Sequence, residues 1–130
     1  MLERVQVIKV SLVNGEPKED VIDVAGHTGD GGAVDPRTCA PSGRGADSLC
    51  TVWTDPSFDP KSPAAYYVRV LEASSCRWNT YVCNAAGVDC EKQSTVPPGL
   101  ASCCDAAVQK TIQERAWTSP IWYTPNAPTS

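Results

Sequence analysis

The chain of 130 residues has the length of one domain, and at 42% hydrophobic and 20% charged residues it has the composition of a packed globule rather than a disordered tail. A net charge of −4 with no basic run argues against sequence-independent nucleic-acid binding, which needs Lys and Arg to displace phosphate counterions. No apolar stretch approaches the roughly 20 residues that cross a bilayer, and Met1–Val13, which carries Glu3, Arg4 and Lys9 and lacks a small-residue cleavage site, does not read as a signal peptide.

Leu2–Val13 reads as a strand whose alternation changes phase. Val5 and Val7 share one face, while Ile8, Val10 and Leu12 take the other; a bulge near Val7–Ile8, or burial on both faces, accounts for this. Asn14-Gly15, followed by Pro17, supplies a turn, and Val21–Ala25 returns as a short strand with Ile22 and Val24 inward and Asp23 outward. His27–Asp47 is rich in Gly, Pro, Ser and Asp and has no period, so it is a loop. Leu49–Thr54, with Trp53, is expected to be a third strand, and Asp55–Pro60 a turn in which each proline fixes its own φ and restricts the preceding residue. Ala64–Glu72 alternates cleanly, with Tyr66, Val68 and Val70 on one face and Tyr67, Arg69 and Leu71 on the other.

The period then changes. Trp78, Tyr81, Val82 and Ala85 fall on one face of a short helix, with Ser74 or Ser75 placed to cap it and Gly87 to end it. Val88–Ala107 is a second loop that turns at Pro97-Pro98-Gly99. Thr111–Tyr123 reads as a strand interrupted near Pro120, at an edge or bulge, with a helix over Asp105–Arg115 as the competing assignment. Asn126–Ser130 is a frayed tail.

Seven cysteines, Cys39, Cys50, Cys76, Cys83, Cys90, Cys103 and Cys104, give a density that belongs to an oxidising compartment. Structural zinc prefers two close C-x₂₋₄-C pairs. Here the intervening gaps are ten, twenty-five, six, six, twelve and zero residues, and His27 is the sole histidine. The cysteines therefore read as disulfide staples, with one thiol over. Cys39 and Cys50 flank a Pro/Ser/Gly-rich loop that a bridge would pin. Adjacent Cys103 and Cys104 are poor partners for each other. If the helix forms, Cys76 and Cys83 lie two turns apart, about 10 Å along the axis, too far to bond.

Candidates for chemistry are few. His27 lies in a glycine-rich loop, and neither a G-x-S-x-G elbow nor a phosphate-binding G-x-x-x-x-G-K-[ST] is present. Asp30 and Asp35 could ligate calcium, although such loops usually only turn. Asp55 and Asp59 form a candidate carboxylate pair, the group set of glycoside hydrolysis, within Asp-Pro sequences that are more often turn formers. Trp53, Trp78, Trp117 and Trp122 could stack on sugars or pack against a neighbouring domain, although filling their own core is the commoner fate of such rings.

Several segments together carry a family likeness: Leu2–Lys9, Val52-Trp53-Thr54-Asp55-Pro56-Ser57-Phe58-Asp59-Pro60, Tyr66–Glu72, Arg77-Trp78, and the closing Ile112-Gln113-Glu114-Arg115-Ala116-Trp117-Thr118-Ser119-Pro120-Ile121-Trp122-Tyr123. The chain resembles the C-terminal part of a bacterial exported family known as domain of unknown function 3604, with the cysteine-rich loops as insertions of a subgroup. That resemblance implies an upstream body similar to metal-dependent hydrolases of the polymerase-and-histidinol-phosphatase type. None of that body's histidine motifs matches a position here, so its chemistry does not transfer.

The expectation is thus a mostly β domain over residues 1–125, a small antiparallel β-sandwich with one short helix and long disulfide-stapled loops. It would be a non-catalytic accessory module of a larger exported protein, periplasmic or extracellular, with Met1 an artificial or secondary start. Its expected partner is the rest of that protein or another protein surface, with no cofactor, metal, nucleic acid or membrane span. The other reading is a small binding module, for carbohydrate or protein, that uses exposed tryptophans. A minimal enzyme using Asp55, Asp59 or His27 is the third.

Overall fold

The computed structural model describes residues 1–27 and 32–125; Asp30 and the tail Asn126–Ser130 lie outside the described residues. In chain order the elements are β1 (Leu2–Val13), β2 (Glu16–Gly26), β3 (Ala33–Val34), β4 (Pro41–Ser42), β5 (Ala64–Glu72), β6 (Ser75–Cys76), α1 (Trp78–Ala85), two 3₁₀ segments (Gln93–Thr95 and Pro98–Cys104), β7 (Thr111–Ile112), β8 (Arg115–Trp117) and β9 (Ile121–Tyr123). The protein is mostly β, its sheets are antiparallel, and its loops are stapled by disulfides.

The principal sheet has the order β2-β1-β5-β8, with β9 also on β5. β1 is paired on both edges, and Gln6, Val7, Ile8 and Lys9 are four consecutive buried residues. Burial on both faces is therefore what breaks the alternation. The register irregularities fall earlier than Val7–Ile8, between Val5 and Gln6 against β2 and between Leu2 and Arg4 against β5. Val13 pairs with Glu16 across the two-residue loop Asn14-Gly15, whose φ values of 54° and 84° are both positive, as a type I′ hairpin turn requires. β2 starts well before the expected Val21 because an edge strand accepts Pro17, whose missing N–H need not face a partner.

Gly26 closes β2 with φ +93°, and a side-chain carbon there would overlap the carbonyl oxygen of Glu3 and come within 2.7 Å of the Arg4 Cα. Gly26→Ala is expected to cost about 2 kcal/mol or more, from left-handed strain plus backbone overlap, read as a lowered midpoint in urea unfolding. Gly15→Ala, which meets only strain, should cost less.

Edge strands β8 and β9 lie end to end along β5. β8 pairs with Arg69–Leu71 and β9 with Ala64–Tyr66. Thr118-Ser119-Pro120 interrupts the edge as expected of a proline. The gap is bridged by Thr118, whose N–H donates to Val68 O and whose Oγ1 accepts from Val68 N–H, both at 3.0 Å. The competing helix over Asp105–Arg115 does not form.

Leu49–Thr54 is not a strand. Both edges of β5 are already taken, by β1 and by β8 and β9, so the segment crosses a sheet face held by side chains instead of a ladder. Trp53 packs on Tyr66 with centroids 6.3 Å apart, Phe58 meets Tyr123 edge-on at 4.8 Å, and Tyr123 Oη donates to Pro60 O at 3.0 Å. This covered face bears Val7, Lys9, Tyr66 and Val68. The opposite face bears Gln6, Ile8, Tyr67 and Arg69, as the cross-strand pairs Val7–Val68 and Ile8–Tyr67 dictate.

At the end of the sheet near the start of β1 lies a disulfide-bonded lobe holding the hairpin β3-β4, the pair β6-β7 and α1. The bridges are Cys39–Cys76, Cys83–Cys103 and Cys90–Cys104, with Cys50 free and exposed. The expected Cys39–Cys50 bridge is thus corrected. Cys39, in a left-handed conformation (φ 55°), leads into β4 and is met by β6, whereas Cys50 lies in the extended segment that leaves the lobe. Cys103 and Cys104 each bond elsewhere, and Cys76 and Cys83 do not bond each other. α1 occupies the expected residues, but Ser74 and Ser75 do not cap it. Ser75 belongs to β6, and Arg77 holds the N-cap position with no side-chain bond. Gly87, at φ +62°, follows the helix end as expected.

Candidate functional site

The most polar cluster under the covered face begins with an inward lysine. Lys9 Nζ lies 2.6 Å from Asp55 Oδ2, and both side chains are 7% exposed. Lys9 also donates to Ser57 O at 3.0 Å and Ser57 Oγ at 3.1 Å, so its three donors are all used. Asp55 accepts from Tyr66 Oη at 2.7 Å, from Ser57 N–H at 2.9 Å and from Ser57 Oγ at 3.0 Å. Lys9 and Tyr66 are directly opposite in register, and the Asp-Pro turn lowers Asp55 onto the pair.

Burial alone would raise the Asp55 carboxyl; the hydrogen bonds from Lys9, Tyr66 and Ser57 outweigh it and hold the group far below the usual carboxylate range. Burial, together with the hydrogen bond to Asp55 and its charge, pushes the Tyr66 phenol up to about 12. Near neutral pH the carboxylate stays ionised and the phenol protonated, the opposite of the near-neutral tuning that general acid–base chemistry favours. The cluster is built as a clamp between sheet and turn. Asp59 serves a separate role: its carboxylate accepts from Lys61 N–H at 2.9 Å, so the two aspartates organise successive turns.

On the opposite face a second polar row crosses three strands. Gln6 Nε2 donates to Asp23 at 2.7 Å, and Arg69 Nε donates to Gln6 Oε1 at 2.8 Å. Trp117 stands opposite Arg69 at the end of this row. Trp117 is 58% exposed and Trp122 75%, so the core-filling fate does not apply to them; among the four tryptophans Trp53 is the most sheltered, half-buried against Tyr66. Trp78 is 75% exposed, with Tyr81 and Val82 of the same helix face also exposed, while Thr80 is buried and donates to Lys110 O at 2.6 Å. α1 thus turns its polar side to the protein and its apolar side to solvent. It is held by Thr80 and by Cys83, whose bridge to Cys103 ties it to the loops.

Between α1 and the cystine loops lies a cleft of about 510 Å³, lined among others by Asn79, Thr80, Asn84, Val88 and Val108. Several of its polar groups are already engaged: Thr80 as above, Asn84 Nδ2 with Pro36 O at 3.0 Å, and Asp89 with Lys92 at 3.2 Å. Asn79 Oδ1 is buried without a partner among the described residues.

His27 is exposed, with its backbone N–H bonded to Glu3 O at 3.1 Å. Of the calcium candidates, Asp30 lies outside the described residues. Asp35 is held by the backbone N–H of Arg37 (2.9 Å) and by its guanidinium, which keep its carboxyl below the ordinary value. Six of the seven thiols are consumed in disulfides, leaving no thiolate set for zinc. Among the described residues no group of three or more His, Cys, Asp or Glu is arranged to hold a metal, and no helix is long and apolar enough to cross a membrane.

Lys9 and Tyr66 are the participants that sequence reasoning missed. The available signal was a lysine amid a strand buried on both faces, where a charge requires a partner. No curated protein and no solved structure matches the chain. A family model described as a protein of unknown function matches residues 1–125, the span of the described fold to its last strand and beyond, and the chain belongs to that family, DUF3604.

Proposed function

We propose that this domain is a non-catalytic accessory module of a larger exported protein, docked onto the rest of that protein through the outward face of α1. The observation that carries the reading is the inversion of that helix. An amphipathic helix normally turns its apolar stripe to its own core, yet here Trp78, Tyr81 and Val82 are exposed while Thr80 is buried. Three apolar side chains at i, i+3 and i+4 are the anchor pattern of a helix seated in a partner's groove. The three disulfides fit an oxidising compartment. The clamp of Lys9, Asp55 and Tyr66 spends the polar groups that a catalytic site would need. A body resembling metal-dependent hydrolases is the partner proposed here.

The test compares the purified chain with the parent protein. The chain alone is expected to turn over no phosphoester, glycoside or peptide substrate. Added to a parent protein lacking this domain, it should bind, and Trp78→Ala with Tyr81→Ala should weaken binding by about tenfold or more, as loss of aromatic anchors does. Both side chains are exposed, so the melting temperature of the variant should be unchanged. Turnover by the chain, or binding indifferent to the double substitution, would sink the reading.

A further inference from the structure

A second surface, apart from α1, carries chemistry of its own. The register places Trp117 opposite Arg69 and Trp122 opposite Ala65, so both indoles project from the face of the sheet that also bears Tyr67. Residues 65, 67 and 69 of β5 follow one another on that face. The three aromatic positions therefore step by about 6.7 Å along the strand, and the two indole positions lie about 13 Å apart. Such a row sets aromatic rings at fixed intervals rather than one apolar pit, with Tyr67 half-buried between two exposed indoles. Its spacing is held by backbone: Pro120 and the paired bonds between Thr118 and Val68 lock the link between the two tryptophans. A preorganised platform of this kind loses little freedom on binding.

Polar groups lie on the same face as the rings. The row Asp23–Gln6–Arg69 ends beside Trp117, and among the described residues Arg69 spends only its ε N–H, on Gln6, which leaves the terminal guanidinium N–H groups uncommitted. Exposed Glu19 stands opposite Val10 in the cross-strand row that includes Trp122. A pyranose matches this mixture, since it has an apolar C–H face for stacking and an equatorial edge of hydroxyls that donate and accept. A nucleic-acid strand would need a basic surface, which a chain of net charge −4 does not offer. A protein partner is the competing occupant, and Arg69 beside Trp117 favours the sugar because it sets uncommitted N–H donors next to a stacking ring.

We propose that this face binds a neutral linear oligosaccharide, stacked on Trp117, Tyr67 and Trp122 and hydrogen-bonded by Arg69. It goes beyond the docking role and does not depend on it, because the indoles belong to the sheet edge and not to α1.

The test titrates linear β-linked oligosaccharides of glucose, N-acetylglucosamine, xylose and mannose into the full chain, following tryptophan fluorescence and heat. At least one is expected to bind saturably. Trp117→Ala and Trp122→Ala should each weaken that binding by about tenfold, and together abolish it. Trp78→Ala, on the α1 face, should leave it intact while weakening attachment to the parent protein. Both indoles are exposed, so unchanged melting confirms that the variants are folded. Absence of saturable binding across the panel overturns the proposal, as does binding that survives the double substitution. So does a result in which Trp117→Ala weakens only protein association, which would assign the face to a protein contact.

Discussion

Lys9→Met is expected to destabilise the fold by about 3–5 kcal/mol, the cost of leaving the Asp55 carboxylate buried without its cation. The pair is 2.6 Å apart and each side chain is 7% exposed, so solvent screens it little. In a chain of this length the loss corresponds to a fall in Tm on the order of 10–20 °C. Removing both charges, with Lys9→Met and Asp55→Leu together, should recover much of the loss, because a buried ion pair often does little better than an apolar pair of similar volume. The check is urea unfolding under non-reducing conditions for the two single variants and the double. A cost below about 1 kcal/mol for Lys9→Met would mean that the pair behaves like a surface ion pair.

The same cluster sets a pH dependence. The folded Asp55 pKa is depressed, so the native state gives up its ionised form less readily than the unfolded chain does. The stability this contributes is complete above the ordinary carboxylate pKa of about 3.9, and is lost as pH falls below it toward the depressed folded value. Tyr66 acts at the other end. Its folded pKa is raised from 10.0 to about 12, so the unfolded chain releases that proton first and stability falls as pH rises from 10 to 12. Tyr66→Phe should remove the alkaline component and weaken the acid one, while Asp55→Asn should remove the acid component.

Replacing Cys39 and Cys76 together by Ser is expected to cost about 4 kcal/mol on the chain-entropy model, because this bridge spans 37 residues, the longest separation of the three. The effect should concentrate in the lobe. Cys39 ties the β3-β4 hairpin to β6, and each of these strands is only two residues long, too short to hold itself. Hydrogen exchange should show lost protection at Ser74 N–H, which bonds Gly32 O, and at Arg77 N–H, which bonds Lys110 O. β1 and β5 should keep theirs. Cys50→Ser, at the free exposed thiol, should change neither stability nor exchange. If Cys50→Ser costs as much as the Cys39/Cys76 replacement, the pairing described here is wrong.

Legibility tracked the range of the interaction. Ala64–Glu72 is legible to the residue because its alternation spans nine positions, and the Asn14-Gly15 turn because its left-handed backbone has few tenants. Leu49–Thr54 looked like a strand by composition, but strand character needs a free edge, and β5 had none to give. The α1 residues follow from their period, whereas the direction of their apolar face does not. Periodicity tells which side chains share a side and is silent on whether that side meets the core. The four tryptophans stand out in the sequence as candidate stacking or docking rings, whereas Tyr67 does not. That Trp117 and Trp122 share a face with Tyr67 follows from cross-strand register, which has no local signature.

Short-range physics settles a good deal from composition and spacing: a β-rich, turn-punctuated, cystine-stapled domain, where its clearest strand and its helix run, and where proline breaks the edge. Three matters needed distant segments brought together. These are which sulfurs meet, which lysine finds which aspartate across forty-six positions of chain, and which indoles stay in solvent. Each is a pairing between residues whose local sequences impose no preference for one another, so burial and hydrogen-bond geometry, summed over the whole fold, make the choice.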